Sequence, residues 1–386
     1  MRNTSPQRYS SEGLGLGVET SILDNAANTI RRIQDVNPNL YPLLTLNHLS
    51  QATGVSYGYL RKAVGREIKT YKHFMMKKRV PGRSNKRMIS TPHERLLICQ
   101  QWISQNILSF APAHHASFAY HPKSSPVFAA QVHVDAKWLI KVDIQDFFHA
   151  VSEHKVYRVF HSLGYSRLLS FELARLCTMP AEKHSGHLAC SNGDSEYKIE
   201  HYQSPYIGIL PQGAPTSPML SNLVMREIDQ ALTSLASKTN MRYSRYADDI
   251  VFSCSEHRDP KDINLTKRQI LETLNQGGFK PNLRKTVVRG PGTRKIVLGL
   301  LVDGSRPRLT KDYKDMLRLH LHYLTHSDYG PAAHATARKT SISKIHHHIL
   351  GKIYWARAVD AKFGNKILDI FNSVDWPPIT KIEYFD

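Results

Sequence analysis

The stretch RYADDIVFSC (residues 245–254) sets two adjacent carboxylates, Asp248 and Asp249, where two strand-like halves meet. Desolvated acids without a partner cost free energy. Yet the chain is basic, with 52 Lys and Arg against 32 Asp and Glu and a formal net charge of +20. An acidic turn between two apolar strands therefore needs a cationic partner of its own, and divalent metal ions fit that need. Alone, an Asp-Asp pair is more often a solvated turn; its company decides.

Upstream, KWLIKVDIQDFFHAV (137–151) is an apolar strand that delivers Asp143 at its end and is expected to continue into a helix. Asp143, Asp248 and Asp249 thus fall on neighbouring elements of one predicted sheet. Three converging carboxylates repel one another, and their pKa values rise. Hard oxygen donors prefer Mg2+ or Mn2+. Two such ions about 3.5–4 Å apart stabilise both the attacking and the leaving oxygen of a phosphoryl displacement.

Around this centre, GILPQGAPTSPMLSNLVMREIDQAL (208–232) reads as a Gly/Pro turn leading into an amphipathic helix. A helix is predicted at 267–276, and two strands at KTVVRG (285–290) and KIVLGLLVDG (295–304). The C-terminal third is mainly helical. MMKKRVPGRSNKRMISTP (75–92) reads as strand, loop at 81–85, strand, and a buried helix follows at 94–110. Residues 44–65 predict two short helices around Gly54, a pair that either reads a DNA groove or serves as a packing unit. Residues 180–203 are polar and aperiodic, an expected inserted loop. Strands alternating with helices, then a helical tail, make an α/β core with an appended helical lobe.

Charge narrows the partner. Between residues 61 and 95 there are 12 Lys or Arg and two acids, and between 279 and 320 there are 11 against three. Such stretches suit phosphate backbones or an anionic membrane. No apolar run approaches the roughly 18 residues of a membrane span. The first thirty residues show no basic start followed by an apolar stretch, so no signal peptide is expected. Nucleic acid is the expected partner. Four cysteines without a CxxC pair point to a reducing, cytoplasmic compartment. Cys177, His184, His187 and Cys190 form C-x6-H-x2-H-x2-C, which could bind zinc, but the spacing matches none of the usual finger patterns and a polar surface loop is the favoured reading.

KVDIQDFF (141–148), LPQGAPTSPMLSN (210–222) and YADD (246–249) occur in the order found in reverse transcriptases. The chain resembles that family, and more narrowly its bacterial retron-type members, from about residue 71 to 372. RMISTPHERLLICQQWI (87–103), GFKPNLRKT (278–286) and ILGKIYWARAVDAKFGNKIL (349–368) extend the likeness. The resemblance implies a right-hand polymerase fold of fingers, a palm with an antiparallel sheet and a helical thumb. The expected division is an N-terminal helical extension (1–65), fingers (66–136), palm (137–303) with an insert near 180–203, and thumb (304–386).

It also implies residue roles. Asp143 and Asp248 bind two Mg2+ ions, with Mn2+ a substitute, and Asp249 helps to set the site. Asp146 lies where the strand end meets the incoming triphosphate. Phe148 packs under the sugar, where a ring clashes with a 2′-hydroxyl; its alternative is core packing. Gln212 lies against the nucleotide and Gly213 allows close backbone approach. Arg87, helped by Lys86 or Lys78, grips the triphosphate with a guanidinium suited to phosphate oxygens. Lys285 protonates departing pyrophosphate. Gly299 belongs to the strand pair at the primer end, and Lys311 and Lys314 contact the primer–template.

Two elements depart from the retron pattern. An Asn-Ala-x-x-His element is represented by AAQVH (129–133), with Ala129 in place of Asn, and Val-Thr-Gly by Val297, Leu298 and Gly299. Both are associated with binding the cognate structured RNA. The implied activity is RNA-directed DNA synthesis from dNTPs on a cognate non-coding RNA that serves as template and primer, yielding a branched RNA–DNA hybrid for anti-phage defence. A separate effector and a host RNase H are the implied partners. Another defence-associated reverse transcriptase, or a catalytically idle RNA-binding protein on the same fold, remains a competing reading.

Overall fold

The computed structural model describes residues 5–77, 86–122, 124–181 and 207–378. In chain order, β1 (Tyr71–Lys77) and β2 (Lys86–Pro92) pair as an antiparallel hairpin. β3 (Trp138–Asp143) follows, then β4 (Met179–Pro180) paired with β5 (Gly208–Ile209). β6 (Arg242–Tyr246), β7 (Asp249–Cys254) and β8 (Val287–Arg289) join β3 in a four-stranded antiparallel sheet of order β6-β7-β3-β8. β9 (Ile296–Val297), β10 (Leu300–Leu301) and β11 (Arg308–Leu309) make a further small sheet.

Side chains alternate across a strand, so the sequence of β3 and β7 assigns their faces. Ile140, Val142, Ile250 and Phe252 point to one side, into a large core shared with helices Arg226–Lys238 and Pro260–Gln276. Leu139 and Val251 point to the other, into a second core built mainly from the C-terminal helices. Each fully buried aliphatic or aromatic side chain contributes ~1.5–3 kcal/mol of transfer free energy. The sheet is thus held from both faces. In this register Leu139, Lys141 and Asp143 share their side with Asp249, Val251 and Ser253. The acids therefore stand on the face turned toward the C-terminal lobe.

His133 ties this face down. Its ring nitrogens lie 2.7 Å from Ser244 Oγ on β6 and Ser253 Oγ on β7. Burial, assisted by Arg242, lowers its pKa to about 3, so it remains a neutral hydrogen-bonding strut. His133, retained with Ala130 from the Asn-Ala-x-x-His element, is thus part of the sheet's support.

Expected and observed elements differ in three places. Residues 144–152 form turns and not the start of a helix; Asp146 adopts φ 47°, and the next helix begins at Glu153. The helix expected at 267–276 runs from Pro260 to Gln276, because the Asp259 carboxylate accepts the Lys261 amide and caps it earlier. KIVLGLLVDG breaks into the β9–β10 hairpin at Leu298 and Gly299, both at positive φ (49° and 85°), the combination a tight hairpin turn needs. The helical pair of 44–65 is present as Leu46–Thr53 and Tyr57–Val64, with Gly54 at φ 72° between them. Leu49, Leu60 and Val64 are buried in the main core, which is the packing role. Most of the inserted loop, including His184, His187 and Cys190, and the hairpin tip with Lys78 lie outside the described residues. Cys177 closes helix Arg167–Cys177 with a thiol that burial pushes up to about 12, an environment that disfavours the thiolate a zinc ion needs.

Candidate active site

Two of the three acids are set by strand pairing. Asp143 ends β3 directly opposite Asp249, which begins β7. Like charges facing each other across a ladder destabilise it. Asp248 occupies the two-residue turn between Tyr246 and Asp249, and its carbonyl accepts the Ile144 amide at 3.1 Å. All three acids therefore meet at one end of the sheet, although more than a hundred residues separate Asp143 from the other two.

Lysines answer part of this charge. Lys285 Nζ donates to Asp143 Oδ1 at 3.0 Å and Oδ2 at 2.8 Å, and Lys141 Nζ lies 3.0 Å from Asp249 Oδ1. Asn282 fixes Asp143 from below, its amide donating to the Asp143 carbonyl at 2.7 Å and its Nδ2 to Oδ1 at 3.1 Å. Asp248 has no such lysine contact among the described residues. Burial raises its pKa first, and the charges of Asp249 and Asp143 raise it further, against an opposing hydrogen bond from its own amide. For Lys285, burial works against the charge, but the hydrogen bond and charge of Asp143, with Asp248 and Asp249, carry its pKa above the ordinary value.

Asp143 and Asp248 line a cleft of about 840 Å3 together with Lys86, Arg87, Tyr120, Asp146, Phe148, Gln212 and Lys285. Most of the expected site is thereby gathered in one place. The irregular 144–152 segment turns Asp146 and Phe148 into the cleft. Phe148 sits 5.7 Å from Phe147 and 6.3 Å from Tyr120, ring centre to ring centre. The Gln212 carbonyl accepts the Ser90 amide at 2.7 Å, joining the Gly/Pro turn to β2. Gly213, at φ 123°, meets β2 so closely that an added Cβ would lie 2.8 Å from Ile89 Cγ2. Its close approach is to the hairpin strand, which holds Lys86 and Arg87 over the cleft.

Gly299, Lys311 and Lys314 do not line this cleft. Gly299 is at the β9–β10 turn. Lys311 and Lys314 line a second cavity of about 330 Å3 with Arg306, Arg308 and Arg318. Within it Lys314 Nζ bonds Asp360 at 2.9 Å, which holds that carboxyl below its usual pKa.

Sequence reading did not single out Tyr120, Lys141, Asn282 or the pair Asp229 and Arg245. Tyr120 lies at φ 65°, an unusual conformation for a bulky residue beside a cleft. Asn282 stood within the GFKPNLRKT motif and could have been found there.

The site's oxygen donors fit divalent cations. They are hard oxygen donors, two face each other across a ladder, and the third is driven toward protonation first by burial and then by the charges of the other two. Among the described residues no group of three acidic, histidine or cysteine side chains is arranged to hold a metal ion as it stands. Asp143 and Asp249 are instead turned to Lys285 and Lys141, respectively.

Residues 75–300 match the protein family described as Reverse transcriptase (RNA-dependent DNA polymerase). Among individual relatives, Retron Ec86 reverse transcriptase of Escherichia coli is 27% identical over 288 residues, 75% of this chain and 80% of that one. Retron Mx162 reverse transcriptase of Myxococcus xanthus is 30% identical over 291 residues, 71% of this chain and 57% of its own length. Retron Ec73 reverse transcriptase of Escherichia coli is 26% identical over 302 residues, covering 75% and 84%. Among solved structures, telomerase from Candida albicans in complex with a fragment of telomeric RNA aligns over 84% of this chain and 65% of that one, at 12% identity and a TM-score of 0.43.

Proposed function

Since this chain belongs to the reverse transcriptase family, as an RNA-directed DNA polymerase of the retron type with the right-hand polymerase fold, we propose that it copies a cognate structured non-coding RNA into a branched RNA–DNA hybrid (msDNA). The observation that carries this reading is the meeting of Asp143, Asp248 and Asp249 at one end of the sheet, with Asp143 and Asp248 lining a cleft that also holds Lys86, Arg87, Phe148 and Gln212.

Asp143 and Asp248 would hold two Mg2+ ions, with Asp249 setting the pair and Mn2+ an acceptable substitute. Bound there, such ions supply charge stabilisation for the attacking 3′ or 2′ oxygen and the departing pyrophosphate. The protein's own groups do the rest. Arg87, with Lys86, receives the triphosphate on a planar fork of donors. Phe148 bounds the sugar and Gln212 the base side of the nucleotide. Asp146 sits where its backbone meets the triphosphate. Lys285, which bonds Asp143 and has its pKa raised there, would supply a proton to the leaving phosphate.

Lys311 and Lys314, with three arginines around them, would hold the primer–template backbone beyond the active site, beside the turn that carries Gly299. Replacing a lysine that neutralises one phosphate makes the salt dependence of binding shallower by ~0.7–0.9 in log K against log salt. Lys311→Ala should show that change for any RNA–DNA duplex, irrespective of sequence, when affinity is followed by fluorescence anisotropy across salt concentrations. An unchanged slope would place this cavity off the nucleic-acid path.

By its retron type we place the protein in the cytoplasm, in anti-phage defence, with a separate effector protein and with a host RNase H to trim the template. Among the described residues no helix is long and apolar enough to cross a membrane. Sequencing the nucleic acid that co-purifies with the protein tests the proposal. A short RNA joined through a 2′ branch to DNA is the expected product. Long repetitive DNA, or RNA alone, would contradict it and favour a different defence-associated reverse transcriptase or an RNA-binding protein.

A further inference from the structure

Arg245 is fully buried, and a buried guanidinium needs a complete set of acceptors. It has them. Nε and Nη2 donate to Asp229 Oδ1 and Oδ2 at 2.7 and 2.6 Å, a two-pronged pair with helix Arg226–Lys238. Nη1 donates to Asn222 Oδ1 at 3.0 Å and to the carbonyl of Ala247 at 3.1 Å. Tyr243 Oη adds a hydrogen bond to Asp229 Oδ1 at 2.7 Å. Burial opposes the charge on Arg245, yet Asp229 outweighs it and raises the arginine's pKa.

What this node touches is the catalytic turn. Ala247, the residue between the strand and Asp248, lies at φ 56°, a left-handed conformation that an L-residue with a Cβ resists. The peptide carbonyl gripped by Arg245 links Ala247 to Asp248. Strained backbone persists where surrounding structure over-determines it, and here a guanidinium braced on a helix grips the Ala247 carbonyl while the Ile144 amide holds that of Asp248. The same node reaches the other wall of the cleft. Arg245 pairs through its backbone with residues 116–118, and Asn222 donates to the carbonyl of Ala119, next to Tyr120.

We propose that Arg245, braced by Asp229 and Asn222, is a positioning residue that holds the strained Ala247–Asp248 peptide and so presents Asp248 to the metal ions. The inference rests on the polymerase reading given above for what Asp248 does. It does not rest on that reading for how the turn is held.

The test uses the full chain. Lysine carries its three donors on one nitrogen and cannot fork across Asp229 while also meeting the Ala247 carbonyl. Arg245→Lys should weaken Mn2+ binding by about 10- to 100-fold, the usual cost of losing a group that orients a metal ligand. Binding is read by electron paramagnetic resonance on nucleic-acid-free protein, so activity is not needed. Primer extension should fall by a similar factor and recover in part at high Mg2+. Glycine adopts positive φ freely. Ala247→Gly in the Arg245→Lys background should therefore restore most of the lost Mn2+ affinity, which a general loss of packing could not do. If Arg245→Lys does not fold, Asp229→Asn carries the same comparison, with and without Ala247→Gly. Wild-type Mn2+ affinity in a folded Arg245→Lys or Asp229→Asn protein, or no recovery from Ala247→Gly, overturns the proposal. A wild-type protein that extends no primer yet shows the same pattern of Mn2+ affinities would sink the polymerase reading and leave the clamp standing.

Discussion

Asp248→Asn is expected to abolish primer extension while leaving the fold intact. The substitution keeps the side chain's shape and removes one anionic metal ligand. Losing charge stabilisation of several kcal/mol lowers the rate by roughly a thousandfold or more. Stability should move the other way. The carboxyl of Asp248 has its pKa raised by burial and by Asp249 and Asp143. A raised carboxyl pKa means the folded state holds its proton more tightly than the unfolded chain. The native protein therefore loses stability as pH climbs from the unfolded value through the raised one, and above both the ionised acid is a net burden. The neutral amide removes that burden. Metal-free Asp248→Asn should melt no lower than wild type at neutral pH, and Mg2+ should raise its melting temperature less than it raises that of wild type. Calorimetry with and without Mg2+, beside a primer-extension assay, reads both. Residual activity near the wild-type level would remove Asp248 from the chemistry.

Phe148→Ala should admit ribonucleotides. The ring is half-buried, with one face against Phe147 and Tyr120 and another on the cleft. A ring packed under the sugar leaves no room for a 2′-hydroxyl, whereas a methyl group does. Steric discrimination at this scale is worth about 1–3 kcal/mol, roughly 10- to 200-fold in relative kcat/KM. Single-nucleotide incorporation of each rNTP against its dNTP gives the ratio. The same truncation removes apolar packing, so dNTP use should fall modestly as well. Discrimination that stays at the wild-type ratio in a folded variant would make Phe148 a core residue and nothing more.

The centre of the molecule was legible because its signals are local. Alternation around 245–254 and the apolar run ending at Asp143 both rest on a period of two, and that period survives folding. The order of motifs then placed Lys86, Arg87, Gln212 and Lys285 near one another, and the structure lines one cleft with all four. What was missed depends on distant partners. Arg245 reads as a surface cation in an edge strand; only the approach of helix Arg226–Lys238, bringing Asp229, makes it a buried clamp. Lys141 looks like the polar half of an alternating strand, and its partner Asp249 is visible only in the cross-strand register. Residues 144–152 resembled a helix by composition, but the left-handed backbone at Asp146 breaks it into turns. Lys311 and Lys314 were assigned to the primer–template with the basic run 279–320, and the structure sets them in a separate basic cavity with Arg306, Arg308 and Arg318.

One measurement goes to the meeting of the acids themselves. With Fe2+ in place of Mg2+, and ascorbate and peroxide added, hydroxyl radicals form at the bound metal and cut the nearest backbone. The account predicts two clusters of cuts, one near residue 143 and one near residue 248, both suppressed by excess Mg2+ and both lost in Asp143→Asn and Asp248→Asn. Cleavage confined to one of these places, or scattered and indifferent to Mg2+, would show that the three carboxylates do not share a metal site.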